Sequence, residues 1–320
     1  MTVENVARHE PRFDRFSLWG TSGVLGVVDD DALEPARRRL DELLAEIEAA
    51  ASRFRPGTEI LRLNDAAGKG PFTVSATLLD LICVALEASQ TTNGACDPTV
   101  ADSLIALGYD RDFDLVDQRG DALVTEAVHP APGIASITID HEASTVSLAK
   151  GVHLDLGATA KARAVDRGAE SLALEFQTGV LVDLGGDLRV AGPAPESGWQ
   201  VGIVASARTH ELTDVQEVIS IHSGAVASSS TAVRRWHRGN DVVHHIIDPT
   251  TGGSASTAFS LVTVVAPTCT EANALATAGV VWGEDALFEL PQRAVAARLV
   301  RSNGDVERLG AWPSTQEATS

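Results

Sequence analysis

The amino-acid sequence predicts an α+β fold with largely antiparallel sheets in one domain. Two long helical patterns lie in the first third of the chain, and short strand-like runs dominate from residue 134 onward. These strands do not alternate regularly with helices, as they would in a parallel α/β fold. Neither a fixed-period repeat nor a long linker divides the sequence. We therefore predict one domain over residues 16–312, a flexible arm over 1–15 and a disordered tail over 313–320.

The predicted elements follow from the spacing of apolar residues. Residues 16–28 are strand-like, and apolar positions three and four apart predict helices over 30–52 and 77–89. Residues 111–133 are predicted to form a long loop or insertion. Short apolar runs predict strands at 136–139, 146–148, 180–183, 199–204, 218–222, 244–247 and 259–266. The remaining predicted elements are helices near 160–175, 270–280 and 284–290 and a strand at 295–301.

The chain is acidic, with a formal net charge of −19 over 320 residues. A surface field of this sign repels polyphosphate backbones, so we do not expect nucleic acid as a partner. The same charge opposes the binding of a small anionic nucleotide. A nucleotide site in this chain therefore needs a local lysine, a helix N-terminus or a metal ion.

The sequence carries no pattern of export or membrane insertion. Cys83, Cys96 and Cys269 form no CxxC pair, which fits a reducing compartment. The first fifteen residues mix charges and contain no apolar signal-peptide region. No apolar run has the length of a membrane span. We expect a soluble cytoplasmic protein with no stable membrane insertion.

Residues 94–100 read Gly-Ala-Cys-Asp-Pro-Thr-Val and follow the second predicted helix. An Asp-Pro turn at a helix exit is a common structural feature. The alternative is a backbone turn aimed at a ligand, in which Asp97 accepts hydrogen bonds. For Cys96 we predict a partly buried structural thiol rather than thiol chemistry.

The segment from His153 to Lys161 joins an apolar strand to an alanine-rich helix through Gly157. Such a junction presents free backbone N–H groups and the positive end of the helix dipole. Lys161 lies in the first turn, where a cation is unfavourable unless an anion joins it. An ordinary helix start and a site for a phosphate or acidic ligand both fit. The segment is not a Walker A loop, and the absence of G-x-G-x-x-G argues against a Rossmann dehydrogenase.

Two further segments place polar side chains at strand ends. Residues 183–189 read Asp-Leu-Gly-Gly-Asp-Leu-Arg, which is typical of a turn between two strands. Residues 244–253 carry His244, His245 and Asp248 into a Pro-Thr-Thr-Gly turn. A histidine in such a place is usually structural, and the adjacent Asp-Pro turn modestly favours a functional role. Within a strand, His245 and Ile247 would share one face.

The fifth segment is an alanine-rich helix around residues 271–277. Asn273 and Thr277 are four residues apart, so their side-chain oxygens lie on one face of that helix. Tight packing of alanines on a sheet explains most of the segment. Two oxygens on one face could also hold a hard cation.

These five segments, in this order, resemble the motif series of the ApbE family. Its members carry G-x-F-D-P-T, L-D-L-G-G-x-A-K-G, L-G-G-D, H-I-I-D-P-x-T-G and D-A-L-A-T motifs. Trp19-Gly20-Thr21 is similar to the family's opening M-G-T, and residues 52–64 are similar to its S-x-Y-R-x and I-S-R-L-N stretches. The resemblance spans roughly residues 17–283. It implies an ApbE-like α+β domain, FAD as substrate and Mg²⁺ as helper ion.

The resemblance also implies roles for individual residues. The metal would be bound by the backbone carbonyl of Ala158 and the side chains of Asn273 and Thr277. His245 matches a family histidine thought to assist catalysis, and Asp248 is expected beside it as a catalytic residue. The residues implied to line the FAD site are Trp19, Phe54, Ala95, Cys96, Asp97, Asp155, Lys161 and Ile247.

The activity that the resemblance implies is transfer of FMN from FAD to a protein. A Ser or Thr hydroxyl in the flavinylation motif of an acceptor flavoprotein attacks the FMN-side phosphorus, and AMP leaves. Mg²⁺ and Lys161 would neutralise the pyrophosphate, and His245 would take the hydroxyl proton. The alternatives are an FAD pyrophosphatase of the same fold, in which water is the acceptor, and a non-catalytic flavin-binding protein.

The sequence departs from the family pattern at three positions. Asn273 stands where the family has a metal-binding aspartate, which removes a negative charge from the site. We expect weaker Mg²⁺ binding unless another carboxylate, such as Asp248, substitutes. Cys96 replaces a Phe and Phe54 replaces a Tyr. The fold prediction is unaffected by these changes, whereas the first of them weakens the prediction of catalysis.

Overall fold

The computed structural model describes residues 10–117, 127–204, 215–239, 241–313 and 315–317. Its helices are α1 (Leu33–Ala51), α2 (Glu59–Asp65), α3 (Ala76–Thr91), α4 (Ala101–Ala106), α5 (Phe113–Asp117), α6 (Ala160–Phe176), α7 (Cys269–Trp282) and α8 (Ala286–Glu289). Among the described helices, none combines the length and the apolar character needed to cross a membrane.

The strands are short, and most lie in the second half of the chain. They are β1 (Arg12–Leu18), β2 (Thr21–Val27), β3 (Phe72–Thr73), β4 (Ile137–Asp140), β5 (Thr145–Leu148), β6 (Val180–Leu184), β7 (Asp187–Ala191), β8 (Trp199–Val204), β9 (Val215–Ile221), β10 (Gly224–Ser230), β11 (Arg235–Arg238), β12 (Asp241–His244), β13 (Phe259–Ala266), β14 (Ala296–Arg301), β15 (Val306–Leu309) and β16 (Thr315–Glu317).

An eight-stranded sheet organises the fold. Its order is β1-β2-β6-β7-β10-β13-β14-β15, and every neighbouring pair is antiparallel. The described residues also form the smaller sheets β16-β9-β8 and β3-β5-β4 and the separate hairpin β11-β12. The predicted α+β fold with largely antiparallel sheets is therefore confirmed.

The two faces of the large sheet pack against different layers. Along β6, Val180 and Val182 belong to the core under the helices, whereas Leu181 belongs to a second core with Trp199 and Ile219. This division follows from the strand geometry, since successive residues point to opposite faces. The helical face is covered by α6 on β6 and β7 and by α7 on β10 and β13.

The helical layer is held by aliphatic side chains, in keeping with the 4% aromatic content of the chain. Leu40 and Leu44 of α1, Leu78 of α3 and Val165 of α6 are buried in one cluster with the sheet. Burial of each such side chain stabilises the fold by about 1.5–3 kcal/mol. The periodicity that predicts these helices is thus the periodicity that fills the core.

Several element boundaries differ from the prediction. β1 begins at Arg12, inside the predicted arm, and residues 315–317 of the predicted disordered tail pair with β9. The strand predicted at 244–247 ends at His244, because the His244 ring nitrogen Nδ1 accepts a hydrogen bond from Ile246 N and turns the chain. Residues 1–9, 118–126 and 318–320, which belong to the predicted arm, loop and tail, lie outside the described residues.

Two tight hairpin turns lie side by side at one end of the large sheet. The strand-like stretch 16–28 is a hairpin whose turn is Trp19-Gly20, with φ of 50° and 69°. The β6–β7 turn is Gly185-Gly186, with φ of 63° and 89°. Two positive φ angles are typical of the type I′ turns that join twisted strands. Gly185 N donates to Ser22 O across 2.8 Å, which joins the two turns.

We predict that Gly185→Ala destabilises the protein more than Gly186→Ala does. A Cβ at position 185 would come within 2.4 Å of Thr21 Oγ1, whereas a Cβ at position 186 would meet nothing within 4 Å. Both variants carry the strain of a positive φ, so their difference isolates the clash, which should cost about 1–3 kcal/mol. Urea unfolding of the two variants gives the comparison. Equal stabilities would contradict the close contact of the two turns.

Candidate active site

The centre of the site is a buried carboxylate that joins three elements. Asp187, the first residue of β7, is only 1% exposed. Lys161 Nζ of α6 lies 3.0 Å from Asp187 Oδ2, and Asn273 Nδ2 of α7 donates to Asp187 Oδ1 across 2.8 Å. Three residues of separate predicted motifs, Lys161, Asp187 and Asn273, are therefore in direct contact.

The start of α7 is fixed by a carboxylate from α6. Asp166 accepts hydrogen bonds from Cys269 N at 2.7 Å and from Thr270 N and Oγ1 at 2.9 and 2.8 Å. These bonds satisfy N–H groups that a helix start leaves unpaired. They also hold α7 against α6, which places Asn273 beside Asp187.

The start of α6 lacks such a cap. Thr159 is the N-cap residue, and its buried Oγ1 has no hydrogen-bond partner among the described residues. An uncapped helix start offers N–H groups and a positive dipole to an anion. The uncapped start of α6 therefore supports the prediction that this segment binds an anion.

The predicted metal-binding side chains share one face of α7, as expected. Asn273 uses its amide nitrogen on Asp187, so its amide oxygen is the atom left for a cation. Thr277 Oγ1 lies 3.0 Å from Ser229 Oγ of β10. Ala158 packs against Ala274 and Cys96, which brings its backbone next to α7.

This donor set suits a hard cation such as Mg²⁺, because it consists of oxygen atoms with a buried carboxylate beside them. Asp187 Oδ2 accepts no hydrogen bond within the described residues beyond its ion pair with Lys161. The described residues contain no group of three or more His, Cys, Asp or Glu side chains arranged as metal ligands. A cation here would thus rely on amide, hydroxyl and carbonyl oxygens.

A second carboxylate, Asp183 of β6, lies near this network. Burial raises the pKa of Asp183 to about 6, and the charge of Asp187 adds to the rise, whereas the Gly186 N–H and Lys161 oppose it. Asp183 Oδ1 accepts from Gly186 N across 2.8 Å, so this carboxylate also closes the β6–β7 turn.

A second group of predicted site residues lies in an aromatic cluster. Phe54 and the buried Ile247 pack in one cluster with Tyr109 and Trp236. The ring centroid of Tyr109 lies 5.5 Å from that of Phe54 and 5.5 Å from that of Trp236. Phe54 and Ile247, which are predicted to line the FAD site, are thus in the same cluster.

Asp155 is held by an arginine that the sequence reasoning did not single out. Arg53 forms an ion pair with Asp155, and its guanidinium lies 4.2 Å from the Phe54 ring centroid and 4.6 Å from that of Tyr109. Asp155 Oδ1 also accepts from Gly157 N at 2.6 Å. The Asp155 charge is therefore neutralised inside the protein and supports the turn into α6.

His245 lies just beyond β12, with its ring nitrogen Nδ1 buried and without a hydrogen-bond partner among the described residues. Burial, together with the charges of Arg234 and His244, lowers the pKa of His245 to about 3. The imidazole is therefore neutral at physiological pH and can accept a proton. Its basicity in the ligand-free protein is weaker than that of an ordinary histidine.

Two predicted polar residues are engaged in their own turns. Asp97 Oδ1 accepts from Thr99 N and Oγ1 at 2.7 and 2.6 Å, and Asp248 Oδ1 accepts from Thr250 N and Oγ1 at 2.9 and 2.7 Å. Both aspartates therefore form Asx turns, in which a side chain accepts a hydrogen bond from the backbone two residues on.

Three further residues predicted to line the FAD site, Ala95, Cys96 and Trp19, are buried or partly buried. Burial, with the charge of Asp97, raises the pKa of the Cys96 thiol to about 12, so this cysteine is an inert packing group beside Ala95. Trp19 packs against the helical core, and its indole Nε1 is buried without a partner among the described residues.

Three buried polar atoms without a hydrogen-bond partner among the described residues belong to predicted motif segments: Trp19 Nε1, Thr159 Oγ1 and His245 Nδ1. Buried polar atoms are nearly always paired, so exceptions call for a partner outside the chain or a functional role. A polar ligand provides such a partner.

Comparison with known proteins shows the family of this chain. A family model described as the ApbE family matches residues 19–299. The chain belongs to the ApbE family. The FAD:protein FMN transferase of Treponema pallidum (strain Nichols) is 32% identical over 296 residues, covering 83% of this chain and 79% of the relative. The FAD:protein FMN transferase of Escherichia coli (strain K12) is 26% identical over 294 residues, covering 90% and 82%.

Solved structures of ApbE proteins share the fold. The crystal structure of the ApbE protein from Thermotoga maritima superposes with a TM-score of 0.80 at 28% identity, covering 94% of this chain and 97% of that chain. The flavin transferase ApbE from Vibrio cholerae gives a TM-score of 0.73 at 22% identity, covering 93% and 96%. The α+β arrangement described above is therefore the ApbE fold over nearly the full chain.

We predict that Lys161→Met destabilises the protein at neutral pH, because it leaves the Asp187 carboxylate buried with Asn273 alone. Lys161 is 25% exposed, so the loss should lie near the lower end of the range for a broken buried pair, about 3 kcal/mol. Adding Asp187→Asn to the same chain removes the unpaired charge and should restore most of the stability. Thermal unfolding of both variants measures this. Unchanged stability of Lys161→Met would contradict the buried pair.

Proposed function

We propose that this chain is an FAD:protein FMN transferase. It cleaves the pyrophosphate of FAD and attaches FMN through a phosphoester to a Ser or Thr of an acceptor flavoprotein. The observation that carries the proposal is the contact of Lys161, Asp187 and Asn273 in a chain that aligns with FAD:protein FMN transferases over most of their length. This contact puts a cation and oxygen donors where an anionic substrate needs them.

The two ends of the site fit the two chemical parts of FAD. The aromatic cluster of Phe54, Ile247 and its neighbours suits the flat flavin ring, which stacks on aromatic and aliphatic side chains. Lys161 and the uncapped start of α6 suit the pyrophosphate. Trp19, Ala95 and Cys96 then form walls of the FAD site, and Asp97 and Asp155 act through the turns that they hold.

Mg²⁺ is part of the proposal. Asn273 and Thr277 through their side chains and Ala158 through its carbonyl would hold the ion, and Asp187 would supply the negative charge that position 273 lacks. When bound, the ion would offset charge on the pyrophosphate. We place this charge on Asp187 because it contacts Asn273 directly, whereas Asp248 Oδ1 accepts hydrogen bonds within its own turn.

His245 is the proposed general base. The acceptor hydroxyl gives its proton to the neutral imidazole as its oxygen attacks the FMN-side phosphorus. The bond from that phosphorus to the bridging oxygen breaks, and the bridging oxygen leaves with AMP. The negative pyrophosphate raises the basicity of a nearby imidazole, so substrate binding offsets the effect of burial on His245.

The proposed partners are FAD and an acceptor flavoprotein with a Ser/Thr flavinylation motif, and the proposed location is the cytoplasm. The test of function is mass spectrometry of an acceptor domain after incubation with this protein, FAD and Mg²⁺, with AMP assayed in parallel. The proposal predicts an acceptor heavier by one FMN and an equal amount of AMP. AMP without labelled acceptor would instead indicate a pyrophosphatase, and bound FAD without either product would indicate a binding protein.

We predict that His245→Gln lowers kcat about 10²- to 10⁴-fold while FAD affinity changes little, because the residue acts on the acceptor proton. In the wild type, kcat/KM should show no ionisation of His245 between pH 5 and 8, since the free protein loses the base only near pH 3. Initial rates of acceptor labelling across this range give both results. An acidic limb with a midpoint near 6.5 that disappears in His245→Gln would contradict the buried, low-pKa imidazole.

A further inference from the structure

The cationic side chains so far described in the site are already paired with carboxylates of the protein. Lys161 is paired with Asp187, and Arg53 is paired with Asp155. A dinucleotide pyrophosphate carries two negative charges, and the chain as a whole carries a net charge of −19. A cationic side chain that is not already paired would therefore add to the proposed Mg²⁺ and the start of α6 in holding the pyrophosphate.

Arg234 lies next to His245 in the backbone pairing. β11 and β12 pair Arg235 with His244, and one step further His245 N donates to Arg234 O across 3.2 Å. Opposite residues of an antiparallel pair extend their side chains from the same face. Arg234 and His245 are therefore neighbours on one face of the hairpin.

That face of the hairpin is the one turned toward the aromatic end of the site. Arg234 and Trp236 are two residues apart and share a face, whereas Arg235 and His237 lie on the other face. Trp236 is buried, and its Nε1 donates to Leu107 O across 2.8 Å, while Arg235 and His237 are exposed. Arg234 itself is half-buried.

The guanidinium of Arg234 forms no ion pair and no hydrogen bond within the part of the chain that the structure describes. Burial lowers the pKa of His245 and raises the pKa of Tyr109. The charge of Arg234 adds to the first shift and opposes the second, so it acts on both groups. A half-buried guanidinium without a counter-charge in the described residues favours an anion beside it.

We propose that Arg234 is a phosphate-binding residue that takes the pyrophosphate of the dinucleotide on the side of the site where His245 lies. The inference rests on the proposed function, since that function makes a flavin dinucleotide the substrate. A guanidinium binds two phosphate oxygens through parallel N–H groups, which also orients the phosphorus relative to His245. The proposal adds Arg234 to Lys161 as a second cation of the site.

The test compares Arg234→Gln with Arg235→Gln, which makes the same charge change one residue away on the exposed face. Calorimetry or flavin fluorescence measures binding of FAD, of ADP, which has the phosphates without the flavin, and of riboflavin, which has the flavin without phosphate. Arg234→Gln should weaken FAD and ADP binding about 10- to 100-fold and leave riboflavin binding unchanged. Arg235→Gln should bind all three ligands as the wild type does.

Arg234→Lys keeps the charge and should recover part of the FAD affinity, which also guards against a folding defect in Arg234→Gln. Equal FAD affinity of Arg234→Gln and the wild type would overturn the assignment of Arg234 alone. An equal loss of riboflavin binding would overturn it too, because the residue would then shape the flavin pocket. Failure of the wild type to bind FAD at all would instead overturn the proposed function and this inference with it.

Discussion

The buried carboxylate of Asp187 is the constraint on which the site depends. A charge that is 1% exposed is tolerated only when it is paired and hydrogen-bonded, and its partners come from α6 and α7. Satisfying Asp187 therefore fixes both helices relative to the start of β7. The Asp166 cap on α7 serves the same end, because it sets where that helix begins. One buried charge thus couples the large sheet to the residues that would handle a nucleotide.

Charge explains why the site is built at this end of the sheet. A chain with a net charge of −19 needs local positive potential to hold a pyrophosphate. The turn residues Gly185 and Gly186 bring Asp187 to the start of α6, where an uncapped helix end adds its dipole to the Lys161 charge. The position of Arg234 beside His245 extends this potential to the flavin side. Lys161 and Arg53 are each held by a carboxylate of the protein, so an acidic chain can place positive side chains beside an anionic ligand.

The sequence predicts the architecture well because the spacing of apolar residues distinguishes helices from strands. It also locates the motif segments that meet in the structure, including Lys161, Asn273 and Thr277. Contacts between segments that are distant in sequence cannot be predicted in this way. The Arg53–Asp155 pair and the Asp166 cap join residues far apart in sequence, and no local pattern reveals them. The low pKa of His245 cannot be predicted from the sequence either, because it arises from burial by residues that are distant in the chain.

We propose that Asp187 supplies the acidic charge of an Mg²⁺ site in which position 273 is a neutral asparagine. The most direct measurement is calorimetric titration of Mg²⁺ into the wild type, Asp187→Asn and the control Asp80→Asn, which removes a carboxylate from the Arg163 ion pair. The account predicts that Asp187→Asn binds Mg²⁺ at least about tenfold more weakly, while Asp80→Asn matches the wild type. Undiminished Mg²⁺ binding by Asp187→Asn would contradict it.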